Sequence, residues 1–329
     1  MTKRNINKII IVNYTMYAGG PLVLSALCAE LRKIGYDARL YFVPAFIKGK
    51  VDYRQYRKTI LKYNLKILYK EILYTLFHRI VRFSTFRQQG RSSMCVPGIK
   101  IQYLPVFNRK RTIVVYPEVI YGNPLGAQNV VRWFLYHNPF ANEKEAFGKD
   151  DFHIAFREVF NPSDLNPQKR IVTISYFDAQ LYRQYNMGTR EGNCYILYKG
   201  RNRTDVPDKF DGPVFDSNMS QMELVDMLNH HKYCFIYDTQ TFYATIAAVC
   251  GCIPIIVMEH GKTEKDYLGE GEKHLGKAYG NTPEQIAYAI STRDELLKSL
   301  DFSDRNRQNA LHLVSLLTER FGEIERHCM

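Results

Sequence analysis

The stretch from Tyr233 to Glu259, YCFIYDTQTFYATIAAVCGCIPIIVME, constrains the fold of this chain more than any other. Tyr233 to Tyr237 is a short run of aromatic and β-branched residues, as a buried parallel strand requires, and it stops at Asp238-Thr239-Gln240-Thr241. From Thr241 to Val249 small and apolar residues continue at helical length, Gly251 supplies a stop, and Ile253 to Met258 reads as a second apolar strand. Strand, helix and strand in this order make a βαβ unit. Ligands of such units sit beyond the carboxyl ends of the strands, where the N–H groups and dipole of the following helix favour anions. The turn at Asp238 to Thr241 occupies that place.

The same unit, with its Ala-rich helix ending in Cys-Gly-Cys-x-Pro, resembles the donor-binding unit of GT-B glycosyltransferases, particularly those of bacterial capsule and O-antigen polysaccharide synthesis. Retaining members of that family carry two glutamates separated by seven residues across this helix. Here Asp238 stands at the turn, and the position eight residues on is Ile246. The resemblance implies an α/β protein of two doubly wound, Rossmann-like domains facing across a cleft. It also implies a nucleotide-sugar donor bound near Asp238, Thr239 and Thr241.

Further segments agree with the resemblance. Lys8 to Tyr14 reads as the first strand, and Gly19-Gly20-Pro21 opens a helix with proline in its first turn. A paired glycine here resembles the GT-B loop where backbone approaches donor phosphates or acceptor. The string PEVIYGNPLGAQNVVRWFLYHNP, from Pro117 to Pro139, resembles part of the acceptor-side domain of polysaccharide glycosyltransferases. Glu118 ends the strand Thr112 to Tyr116, where a carboxylate can position or deprotonate an acceptor. Val130 to Phe134 reads as helix, with His137 after it as a further catalytic candidate. In the second half, Cys194 to Tyr198 reads as a strand leading into Lys199-Gly200-Arg201-Asn202-Arg203. Lys199 and Arg203 resemble the cations that neutralise the donor pyrophosphate, the task a divalent metal has in other glycosyltransferase folds. Glu259, at the next strand end, is the candidate contact for sugar or ribose. No cofactor and no metal are expected.

The domain boundaries follow. Residues 1–188 are expected to form the acceptor-side domain, 189–302 the nucleotide-sugar domain, and 303–329 a terminal helix crossing back to the first. Arg170 to Phe177 reads as a strand, Asp178 to Tyr185 as a short helix, and 186–193 as a linker.

Charge is unevenly spread. The net charge is +12, yet residues 1–100 hold 19 Lys or Arg against 4 Asp or Glu, and the remainder 26 against 29. A basic amphipathic helix is expected at about 51–86. Leu61, Leu65, Leu68, Ile72, Leu76 and Ile80 form an apolar stripe, and Lys58, Lys62, Lys66 and Lys70 a file of like charges four residues apart. Three readings of that helix stay open: a solvated surface helix with its stripe on the core, one docked on an anionic membrane surface, and, behind these, one bound to nucleic acid. No nucleic-acid motif accompanies the charge, so no nucleic-acid partner is expected.

No run reaches the ~18 to 20 apolar residues of a membrane span, and Ile9 to Val12 followed by Asn13 and Thr15 is unlike a signal peptide. The seven cysteines have no zinc-like spacing and read as reduced thiols. The expectation is a cytoplasmic glycosyltransferase at the inner face of the membrane, moving a sugar from a nucleotide donor to a lipid-linked glycan acceptor. The alternatives are a GT-B-like epimerase or phosphorylase, and a non-catalytic membrane or nucleic-acid binding protein.

Overall fold

The computed structural model describes residues 5–16, 18–44, 49–50, 52–77, 93–143, 145–197, 200–216, 219–239, 241–268 and 273–326. The chain forms two compact units, Met1–Tyr176 with Phe302–Met329, and Phe177–Asp301.

The first unit is built on strands β1 (Lys8–Asn13), β2 (Ala38–Phe42), β3 (Thr112–Pro117), β4 (Asn129–Phe134) and β5 (Phe152–Ala155). They pair in parallel in the order β2-β1-β3-β4-β5. Helix α1 (Gly19–Lys33) joins β1 to β2 and buries Leu24, Leu27 and Leu31 against the sheet. The terminal helix Ser303–Phe321 adds Ala310, Leu313, Val314 and Leu317 to the same core.

Val130 to Phe134 is a strand rather than the expected helix. β-Branched and aromatic residues suit a central strand covered on both faces, and every residue of β4 is buried. Its one charge, Arg132, is fully buried and satisfied: Nε donates to Asp151 Oδ2 at 2.7 Å, Nη1 to the Ile120 carbonyl at 2.8 Å and Nη2 to the Gly122 carbonyl. Sequence periodicity missed β5 altogether. It also overstated Arg170 to Phe177, which meets the sheet only through a bridge from Ile171 to Ala155. The reason lies in the terminal helix, where Asn306 accepts from the Ser175 N–H at 2.9 Å and donates to the Ser175 carbonyl at 2.7 Å. Side-chain amides there replace a strand partner. Asp178 to Tyr182 forms turns, not a helix.

Helix α2 (Tyr53–Phe77) lies at the carboxyl ends of β1 and β2. Asn64 donates to the Phe42 carbonyl at 2.8 Å, and the hydroxyls of Tyr63 and Thr15 lie 2.5 Å apart. Ile60, Asn64 and Ile67 are buried, whereas Leu65, Ile72 and Leu76 are exposed. Leu65, Ile72 and Leu76 of the expected apolar stripe therefore face away from the core, while Leu61 and Leu68 are half-buried. Residues 78–86 of the expected helix lie outside the described residues.

The second unit repeats the strand order. β6 (Glu191–Ile196), β7 (Val214–Phe215), β8 (His231–Ile236), β9 (Ile253–Ile256) and β10 (Ala278–Tyr279) pair in parallel as β10-β9-β8-β6-β7. Helices α3 (Gln221–His230), α4 (Tyr243–Val249), α5 (Pro283–Ser291) and α6 (Arg293–Ser299) connect them or cover them. The βαβ unit is present as β8-α4-β9, with Gly251 at φ 86° after the helix. The segment read as a linker belongs to this unit. Tyr185 and Asn186 both donate backbone N–H groups to the buried Asn229 side chain of α3, and β6 begins at Glu191. The units accordingly divide at Tyr176, ahead of the expected boundary at 188.

Candidate functional site

Numbered within each unit, both sheets have the order 2-1-3-4-5. Chain direction reverses its sideways progress between the first and third strands, and the loops leaving those two strands diverge to opposite faces. The crevice at their carboxyl ends is where doubly wound proteins hold ligands. In the first unit this point lies between β1 and β3, in the second between β6 and β8.

At the first switch point Asn13 ends β1 fully buried. Its Nδ2 donates to the Pro21 carbonyl at 3.0 Å and to Ser25 Oγ at 2.9 Å, fixing α1 against the strand end. Gly19 and Gly20 are the first two residues of α1, preceded by Ala18 with no side-chain cap. A Cβ placed on Gly19 would meet nothing within 4 Å, and one on Gly20 would touch Leu135 Cδ1 at 3.5 Å. Glu118 ends β3, is 6% exposed, and accepts the Leu135 N–H at 3.0 Å through Oε2. His137 is two residues further on the same loop, exposed and packed edge-on to Tyr136 and Phe160 at 4.8 and 5.1 Å between centroids. It follows a strand rather than the expected helix. Gly20, Glu118 and the root of the His137 loop thus converge on Leu135. Sequence reasoning missed Tyr14, whose phenol is buried beside this carboxylate; burial first, then the neighbouring Tyr53 and Glu118, push its pKa well above the usual tyrosine range.

At the second switch point Asp238 is the central side chain. It is 4% exposed and its Oδ1 accepts the Gly200 N–H at 2.7 Å, joining the loop after β6 to the end of β8. Gly200 is required there, because a Cβ would stand 2.6 Å from the Tyr237 carbonyl oxygen. Thr239 and Thr241 follow half-buried on the same edge, and Thr241 Oγ1 accepts the Tyr243 N–H at 3.3 Å. α4 starts at Tyr243 rather than Thr241. Ile246, where the sequence resemblance expects a second carboxylate, is buried in α4. Lys199 lies outside the described residues.

Arg203 corrects an expectation. Its five N–H donors all have protein acceptors: Nε and Nη2 grip Asp205 at 2.9 and 2.5 Å, Nη1 donates to the Tyr237 and Val257 carbonyls at 3.0 and 2.7 Å, and Nη2 also reaches the Met258 carbonyl at 3.2 Å. The paired Asp205 carboxylate raises the guanidinium pKa further. A side chain so occupied ties together the ends of β8 and β9 and has no donor left for a pyrophosphate. Glu259, at the end of β9, is exposed and 3.5 Å from Lys262, and its N–H donates to the Tyr267 hydroxyl at 2.9 Å. Among the described residues no group of three His, Cys, Asp or Glu side chains is arranged to hold a metal ion.

No protein-family model matches the chain, and no curated protein does. Solved structures similar to it are glycosyltransferases. One is the glycotransferase of kitacinnamycin, 10% identical, covering 96% of this chain and 99% of that one with a TM-score of 0.41. A glycosyltransferase from Rickettsia africae ESF-5 is also 10% identical, covering 96% and 98% with a TM-score of 0.39. An alpha-glucosyltransferase in complex with UDP-glucose and DNA containing an abasic site is 10% identical over 97% and 96%, with a TM-score of 0.42.

Proposed function

We propose that the protein is a glycosyltransferase of polysaccharide synthesis, taking a sugar from a nucleotide-sugar donor held at the second switch point to a lipid-linked glycan acceptor presented at the first. One observation carries the reading. Both units have the doubly wound order, and each sets a buried carboxylate, Glu118 or Asp238, at the carboxyl end of the third strand. In this reading backbone N–H groups of the loop after β8, with Thr239, Thr241 and Lys199, receive the donor phosphates, and Glu259 the ribose or sugar. Asp238 shapes the donor loop through Gly200. Glu118 is the base or positioning group for the acceptor hydroxyl, with His137 beside it. Neither a resident cofactor nor a metal is part of the reading.

The protein then works at the anionic inner face of the membrane. Nucleic acid, a ligand of the third similar structure, is not part of the reading, because the most basic described helix exposes apolar side chains along with its lysines. The test is a thermal-shift panel with UDP, GDP, CMP, ADP and dTDP. A ligand of the folded state alone raises the midpoint by mass action, so one diphosphate should raise it and its nucleoside should raise it less. No shift with any of the five would overturn the donor reading.

A further inference from the structure

α2 has two unlike sides. Ile60, Asn64 and Ile67 are buried in the first unit, while Leu65, Tyr69, Ile72 and Leu76 are 43, 62, 46 and 65% exposed. At about 100° per residue these four fall within an arc of roughly 60°, opposite the buried side. Lys58 continues the same line toward the amino end of the helix, and Lys62 and Lys66 are exposed on its flank. Arg54 and Arg57 add cations in the first turns. Water alone favours neither half of this pattern: the apolar side chains gain nothing from it, and lysines four apart repel.

We infer that this ridge is a docking surface for an anionic bilayer, on which α2 lies flat with the four apolar side chains at the boundary of headgroups and acyl chains and the lysines among the lipid phosphates. Charge and shape select that occupant. A nucleic-acid strand would pair with the lysines and leave the apolar row in water, and an apolar protein groove would leave the lysines unmatched. A bilayer interface satisfies both, and tyrosine suits it as an amphipathic ring. The inference rests on the reading of a membrane-borne acceptor and supplies the contact through which the protein reaches it.

The experiment is co-sedimentation of the purified full chain with vesicles of phosphatidylcholine and phosphatidylglycerol at 3:1, beside vesicles of phosphatidylcholine alone. Wild-type protein should bind the anionic vesicles at low ionic strength and release as salt rises. Lys58→Gln, Lys62→Gln and Lys66→Gln together should lower the partition coefficient about a hundredfold. Leu65→Ser, Ile72→Ser and Leu76→Ser together should lower it by a similar factor of about a hundred. All six positions are exposed, so circular dichroism and the thermal midpoint should stay at wild-type values. Failure of the wild type to bind, or serine variants that bind as wild type does, would overturn the inference, as would lysine-dependent binding to single-stranded DNA alone. Nucleotide binding reports separately. A diphosphate shift without vesicle binding sinks the ridge and spares the donor site; vesicle binding without any shift does the reverse.

Discussion

The two switch points share a strand order and differ in what their carboxylates hold. Asp238 bonds inward, across the crevice to Gly200 on the loop of the first strand, while Glu118 bonds outward, to Leu135 on the loop of the fourth. The glycines differ in parallel. Gly200 is forced by contact with backbone, whereas Gly19 faces open space. In the second unit the protein's own bonds tie together the loops at the strand ends, which act as a fixed frame. In the first, a Cβ on Gly19 at the start of α1 would meet nothing within 4 Å among the described residues, so the helix start has room beside it. A rigid frame suits a constant ligand such as a nucleotide, and room suits the group that varies.

The comparison can be broken most directly at the carboxylates. Glu118→Gln should lower transfer about a hundredfold or more with little change in donor affinity, as expected for loss of a general base. Asp238→Asn should weaken the nucleotide-dependent thermal shift instead. Steady-state transfer and calorimetric donor binding, measured on both variants, separate the roles, and the reverse pattern would exchange them.

Arg203→Ala should cost about 3 kcal/mol, since charge-assisted hydrogen bonds contribute roughly 1.5 to 3 kcal/mol each and several carbonyls lose their donor. Arg203→Lys should recover little, because an ammonium cannot reproduce the fork. Urea melts supply the number. Nucleoside and diphosphate affinities should fall together; selective loss of the diphosphate would return Arg203 to the phosphate site.

The glycines sharpen the same contrast. Gly200→Ala should destabilise by about 2 to 3 kcal/mol through the collision with the Tyr237 carbonyl. Gly19→Ala should be neutral or stabilising by up to ~1 kcal/mol, as alanine is the better helix former. If Gly19→Ala nonetheless slows transfer, the space above it belongs to the acceptor or donor.

A separate expected effect is one of pH. His153 is buried against the rings of Phe134 and Phe147, and desolvation lowers its pKa from 6.5 to about 4, against the opposing charge of Asp151 and with Arg132 and Arg170 assisting. The unfolded chain takes a proton near pH 6.5 that the folded chain refuses until about 4, so stability falls as pH drops through that window, by about 3 kcal/mol in all. His153→Phe should flatten the midpoint between pH 7 and 4.5. An unchanged slope would assign the acid sensitivity elsewhere.

Much of the second unit was legible in sequence because β8, α4 and β9 are contiguous and their signals are local. The first unit was harder to read. Val130 to Phe134 carries strand-type residues, but a run buried on both faces shows no alternation, and Arg132 within it looks like a helix-surface charge until Asp151 and two carbonyls surround it. Arg170 to Phe177 carries a strand pattern in which both backbone groups of Ser175 bond to Asn306, 131 positions away, a fact no window contains. Glu118 and Asp238 were placed at strand ends from the sequence, and both lie there, buried. Tyr14 was not, since only the fold sets it beside Glu118. The periodicity of α2 left its side open, because apolar spacing reveals that a stripe exists without saying what covers it; the fold exposes Leu65, Ile72 and Leu76.

The bond between Tyr63 and Thr15, with that of Asn64 to Phe42, makes α2 a rod fastened to the strand ends of the first unit. A body resting on a plane along one side of such a rod loses tilt and roll and keeps only spin about the normal. The carboxyl edge of that sheet would then ride at a constant height above the lipid. Acceptors diffusing laterally would meet it in a search of two dimensions rather than three.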